Sequence, residues 1–127
     1  MPDSPHMPVF MKNPADLVRR FAEAMSGYPD APVRMTFGSP CAYVGGNMAV
    51  GLHGSGWFVR LPPAAAAELL AMDGAEPFSP VPGRPMRGYV LLPPSVIDDP
   101  VEVAAWIERS LDFVRSLPPK ESTGKRR

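Results

Sequence analysis

Apolar side chains recur along the chain with two different periods, and the changes of period divide it into elements. Near the start, Leu17, Phe21 and Ala24 follow a spacing of i, i+4, i+7, with Val18, Ala22 and Met25 beside them and Arg19, Arg20 and Glu23 facing away. That stripe predicts an amphipathic helix over 15–25. Asn13 suits an N-cap, Pro14 the first helical position and Gly27 a stop. A second, alanine-rich helix is predicted from about Ala64 to Met72, entered through Pro62-Pro63 and ended near Gly74. A third runs from Pro100 to about Leu117, where Ala104, Ile107, Leu111 and Val114 form a stripe that Val103, Trp106 and Phe113 widen. Asp98 or Asp99 caps it, and Pro118-Pro119 stops it.

Between the first two helices the period falls to two. Val33, Met35 and Phe37 predict one strand, with Arg34 and Thr36 outward. The run Cys41–Leu61 alternates and is cut by Gly45-Gly46, a two-residue hairpin signal that sets Val44 against Asn47, Tyr43 against Met48 and Cys41 against Val50. The second cut, Gly54-Ser55-Gly56, admits two registers. A two-residue Gly54-Ser55 turn pairs Leu52 with Trp57 and keeps Arg60 off the apolar side, so the pattern favours it. Met86–Leu92 predicts a fifth strand, after a segment, Pro77 to Pro85, that holds four prolines and reads as an extended loop.

The resulting order is helix, four strands, helix, strand, helix. It predicts an α+β fold, a two-layer antiparallel β-sheet of about five strands with helices packed on one face. The row Cys41, Tyr43, Met48, Val50, Leu52, Trp57, Val59 and Leu61 then lies under the helices. The other face carries Ala42, Val44, Asn47, Ala49, Gly51, His53, Phe58 and Arg60, with one firm charge. A solvated antiparallel face ordinarily alternates with polar and charged residues, so this face, or an adjoining sheet edge, is expected to meet a partner or a second copy of the chain. A chain rich in Ala and Gly would show the same sparseness without any contact.

Composition narrows the setting. The 127 residues suit one domain, expected over 13–117, with a flexible arm at 1–12 and a basic, disordered tail at 118–127. Thirteen basic and thirteen acidic side chains leave no global field, which argues against direct nucleic-acid binding. The tail alone has a net charge of +3, from Lys120, Lys125, Arg126 and Arg127 against Glu121. The single cysteine, no membrane-length apolar run and no secretory signal pattern predict a cytoplasmic chain without membrane contact.

Candidate chemistry is thin. Cys41 is expected to be a buried, inert thiol, and His6 and His53 have no ligand at metal spacing, so neither a cofactor nor a metal is expected. Asp98-Asp99 reads as helix capping rather than an acid–base pair. Arg84 and Arg87 flank Pro85-Met86 and, with Arg60 and Tyr89, are candidates for an anion- or partner-binding patch. Solvated surface charge is the plainer reading. The candidate partner contacts are Ala49, Phe58, Arg60, Arg84, Arg87 and Tyr89, with no catalytic residue among them.

The run Met35–Gly51 (MTFGSPCAYVGGNMAVG) resembles the start of the TfoX/Sxy N-terminal domain family, with Phe37-Gly38 one threonine away from Met35. Pro77-Phe78, Pro82 to Met86 and Tyr89 resemble its second block, and Asp99-Pro100 with Trp106 resembles its end. The resemblance implies a two-layer α+β fold and a bacterial, non-enzymatic protein-interaction module connected with transcription and natural competence. It brings no catalytic residue. The alternative is a small-ligand binder or enzyme with a cleft near Arg84, Arg87 and Tyr89.

Overall fold

The computed structural model describes residues 12–120. The elements run α1 (Ala15–Met25), β1 (Val33–Thr36), β2 (Ser39–Val44), β3 (Asn47–His53), β4 (Gly56–Arg60), α2 (Pro63–Leu70), β5 (Glu76–Pro77), β6 (Tyr89–Leu91), α3 (Pro94–Ile97) and α4 (Pro100–Arg115). One antiparallel six-stranded sheet has the order β1-β2-β3-β4-β6-β5. The fold is α+β as expected, with six strands rather than five. The additional strand, β5, is two residues long and opens the proline-rich segment.

The helices fill one face. α4 turns Val103, Trp106, Ile107, Ser110, Leu111 and Val114 inward, and α1 contributes Leu17, Phe21 and Met25. The Phe21 and Trp57 rings meet edge to face at 5.3 Å, an arrangement worth about 0.5–1.5 kcal/mol beyond area burial. The Asp99 carboxylate caps α4 by accepting from the N–H of Val101 at 3.1 Å and of Glu102 at 3.4 Å. Asn13 does not cap α1: its amide donates to Gly54 O at 2.8 Å, tying the helix entry to the β3–β4 turn.

The two tight turns fall where the glycines put them. Gly45 and Gly46 both take positive φ, and of Gly54-Ser55 only Gly54 does. The β3–β4 register pairs Leu52 with Trp57 and Val50 with Val59, as the apolar pattern requires.

The β2–β3 register differs from expectation. It starts as Val44 to Asn47 and Tyr43 to Met48, then shifts, so Ala42 opposes Val50 and Cys41 opposes Gly51. Ala49 is the extra residue of a β-bulge, and a bulge of one residue reverses the side-chain parity beyond it. Cys41, Tyr43 and Met48 therefore lie on the face away from the helices, with Phe58, while Val50, Leu52, Trp57, Val59 and Leu61 stay beneath them. Ala42, Val44 and Ala49 join the helix side. The Ser110 hydroxyl on α4, fully buried, donates to Ala49 O at 3.2 Å, giving the bulge a partner from the helix layer.

The arm at 1–12 lies outside the described residues except for Lys12, and the tail is described only at 118–120. There Lys120 N–H donates to Gly45 O at 2.7 Å, and Asn47 Nδ2 donates to Pro118 O at 3.0 Å.

Candidate functional site

The sheet face away from the helices was expected to be open to a partner. Instead the chain's own proline-rich segment covers it. After β5 the backbone crosses this face, and the Phe78 ring stacks on Phe58 at 4.2 Å with 12° between planes. Phe78 N–H donates to Tyr89 O at 2.9 Å, continuing the β5–β6 ladder, and Met86 N–H donates to Phe78 O at 2.8 Å, closing the proline-rich loop on Phe78. Cys41, Phe58, Phe78 and Tyr89 form a second buried cluster, with Tyr43, Met48, Met86 and Leu91 packed against it. The face is poor in charge because it is a small second core.

That geometry places three of the candidate contacts in the interior. Ala49 is fully buried on the helix side, and Phe58 is 1% exposed beneath Phe78, so neither stands on an open surface. Tyr89 is also buried, and its hydroxyl donates to Met48 O at 3.1 Å. Arg60 pairs with Tyr89 across β4 and β6, its guanidinium 5.4 Å from the Tyr89 ring centre and 5.9 Å from that of Phe113. Arg84 and Arg87 are exposed, and Arg84 closes a tight turn by donating its N–H to Val81 O at 2.9 Å. Arg84 and Arg87 stand on two successive turns, the second closed by Tyr89 N–H to Met86 O at 3.1 Å, and neither lines one of the principal clefts among the described residues.

Cys41 changes face but stays buried, and burial pushes its thiol pKa up. His53 is half-buried, its ring 5.5 Å from Phe78 edge to face, and burial lowers its pKa. Among the described residues no three His, Cys, Asp or Glu side chains group as a metal site, and no helix is long and apolar enough to cross a membrane.

Exposed large apolar side chains gather at the β1 edge instead, with Leu70 on α2 and Val101 on α4 exposed elsewhere. Among the described residues, β1 has a strand on one side only. Val33 was expected to point into the core with Met35 and Phe37, but they are 43%, 67% and 60% exposed. The helix layer stops short of β1, so Val33 borders a shallow cleft with Val18, Phe21, Met25 and Pro40 instead of packing under a helix. Phe37 is not in the strand. With Gly38 it makes the β1–β2 turn at φ +53, a left-handed conformation that a bulky aromatic rarely adopts. Thr36 pairs with Ser39 across that turn, and Tyr43 N–H donates to Pro32 O at 3.0 Å, so alternation turns the Val33 and Met35 backbone groups away from β2. On the face away from the helices, Arg34 lies 4.1 Å over the Tyr43 ring and Thr36 Oγ1 hydrogen-bonds Tyr43 OH at 2.6 Å, tying β1 to β2 through side chains. The sequence carried a signal for this edge: Met35 and Phe37 are large apolar residues beside a two-residue turn.

A helix-backed antiparallel sheet with one self-covered face and, among the described residues, one edge strand carrying exposed apolar side chains defines a small α+β domain. The TfoX N-terminal domain family matches residues 23–114. The chain belongs to the TfoX N-terminal domain family. No curated protein and no solved structure matches the chain.

Proposed function

We propose that this chain is a non-enzymatic protein-interaction module that engages its partner by strand addition at the β1 edge, in a competence- or transcription-related regulatory role. The carrying observation is that β1 presents Met35, 67% exposed, beside Phe37 and has outward-turned backbone groups. Strand addition draws affinity from such backbone groups and specificity from alternate side chains. The opposite edge suits it poorly: β5 is short, and Pro77 has no N–H to offer. Membership of the TfoX N-terminal domain family supports the regulatory part of this reading. The partner is another protein or a second copy of this chain.

Met35→Pro tests the reading, because it deletes an outward N–H that the β1–β2 ladder does not use. Partner retention from native lysate, together with sedimentation of the isolated chain, is expected to fall in Met35→Pro. An Arg84→Ala/Arg87→Ala variant of equal stability should behave as the parent. Unchanged retention by Met35→Pro, with loss in the double arginine variant, would move the contact to the proline segment.

A further inference from the structure

Two buried polar side-chain atoms among the described residues have no hydrogen-bond partner, Trp57 Nε1 and Arg20 Nε, and both residues line the same cleft. The cleft lies between α1 and the first turns of α4, with Ala24, Ile97, Val103 and Ala104 supplying apolar wall. Its volume is about 250 Å³. An apolar cavity of about 150 Å³ already accepts benzene, so this one has room for a single ring carrying a small substituent. Trp57 is 1% exposed and an indole N–H only donates. A buried donor left unpaired is unfavourable, and an incoming acceptor relieves it.

The charges decide what kind of acceptor fits. Arg20 Nε lies 3.2 Å from Asp16 Oδ2 without hydrogen-bond alignment, and Arg20 Nη1 donates to Ile97 O at 2.9 Å. Its positive charge is thus already faced by Asp16, which is not itself a wall of the cleft, and Glu23, which does line it, accepts from Arg19 Nη1 at 3.2 Å. A bound anion would compete with Asp16 for Arg20 and lie beside Glu23, and a cation would meet two donors. We propose that this cleft is a binding site for an uncharged, mostly apolar small molecule bearing one carbonyl oxygen, such as an aryl ketone, amide or lactone. Its carbonyl accepts from Trp57 Nε1–H with Arg20 beside it, and its apolar body packs on Val103 and Ala104. The site is separate from the β1 edge and does not depend on the partner reading.

The test uses the full chain, whose two tryptophans give two indole N–H signals in a ¹H–¹⁵N NMR spectrum, assigned through Trp106→Phe. Acetophenone is the probe, with toluene, benzoate and benzylamine as comparators matched in ring size. The Trp57 signal should shift and saturate with acetophenone, at an affinity roughly tenfold or more above that for toluene, and benzoate and benzylamine should bind more weakly than acetophenone. Ala104→Leu, a change at an exposed helical position that fills the cleft, should weaken acetophenone at least fivefold while leaving the thermal midpoint near the parent's. An unmoved Trp57 signal means that solvent alone serves the donor and overturns the proposal. So does equal binding of toluene and acetophenone, or tighter binding of benzoate.

Discussion

Gly51→Ala separates the bulged register from the unbulged one by the sign of its effect. A Cβ added at Gly51 lies 2.6 Å from Cys41 Sγ and 2.6 Å from Phe58 Cζ, well inside any real contact. Neither neighbour yields easily. Cys41 is 3% exposed, and the Phe58 ring is held under Phe78 at 4.2 Å. Overpacking of this kind costs about 1–3 kcal/mol. Against it stands the gain of replacing glycine by alanine inside a strand, about 0.5–1 kcal/mol. The overpacking term wins, and a net loss of about 1–2 kcal/mol is expected. Urea unfolding followed by tryptophan fluorescence measures it as a lower midpoint at unchanged slope. Adding Phe58→Leu should recover part of the loss, since the two changes share one contact. If Cys41 instead opposed Val50, its sulfur would lie on the helix side, the Phe58 ring could move into the space it leaves beside Gly51, and alanine would be neutral or stabilising. A neutral or stabilised Gly51→Ala protein therefore refutes the reversed parity.

Three further outcomes are expected. Ser110→Ala removes the buried donor to Ala49 O and should lower stability by about 1–2 kcal/mol in the same urea assay, where no change would mean that the bulge needs no support from α4. Phe37→Asn relieves a positive-φ aromatic in a turn that favours Asn-Gly, so stability should rise by about 1 kcal/mol while partner retention falls; destabilisation would show that the Phe37 ring anchors the fold. Burial, then the hydrogen bond from Tyr28 OH to Glu108 Oε2 at 2.7 Å, pushes the Tyr28 pKa up to about 12 from an ordinary value near 10.0. Its stabilisation is thus complete below pH 10 and is lost as pH rises from about 10 towards 12. Urea midpoints across that range should fall more steeply for the parent than for Tyr28→Phe, and parallel curves would contradict the assignment.

Local rules explain what could be read from the sequence. Helix stripes, the Asp99 cap and the glycine turns are set by residues within a few positions of one another, and all appear where the pattern puts them. The misreadings share a different cause. Met48-Ala49-Val50 carries no glycine or proline to mark a bulge, and its support is Ser110 on a helix 61 residues away. Asn13 looks like a cap because its neighbours are helical, yet its amide serves a turn 41 residues away. The sparse charge of the second sheet face was a sound sign of a covered surface. Its cover, Phe78, lies among prolines that hide periodicity, so the pattern alone points to a cover from outside the chain. Ala49 and Phe58 look like open-surface residues for that reason, whereas Met35 and Phe37 read as inward because nothing local shows that the helix layer ends before β1.

A two-dimensional NOE spectrum tests the arrangement of the two sheet faces most directly. Cys41 β-protons should show contacts to the Phe58 ring, and the Phe78 ring should show contacts to Phe58 and Tyr89, with none from Cys41 to Trp57 or Ile107. Contacts from Cys41 to Trp57, or a Phe78 ring without contacts to Phe58, would contradict the self-covered face and with it the argument that places partner contact at β1.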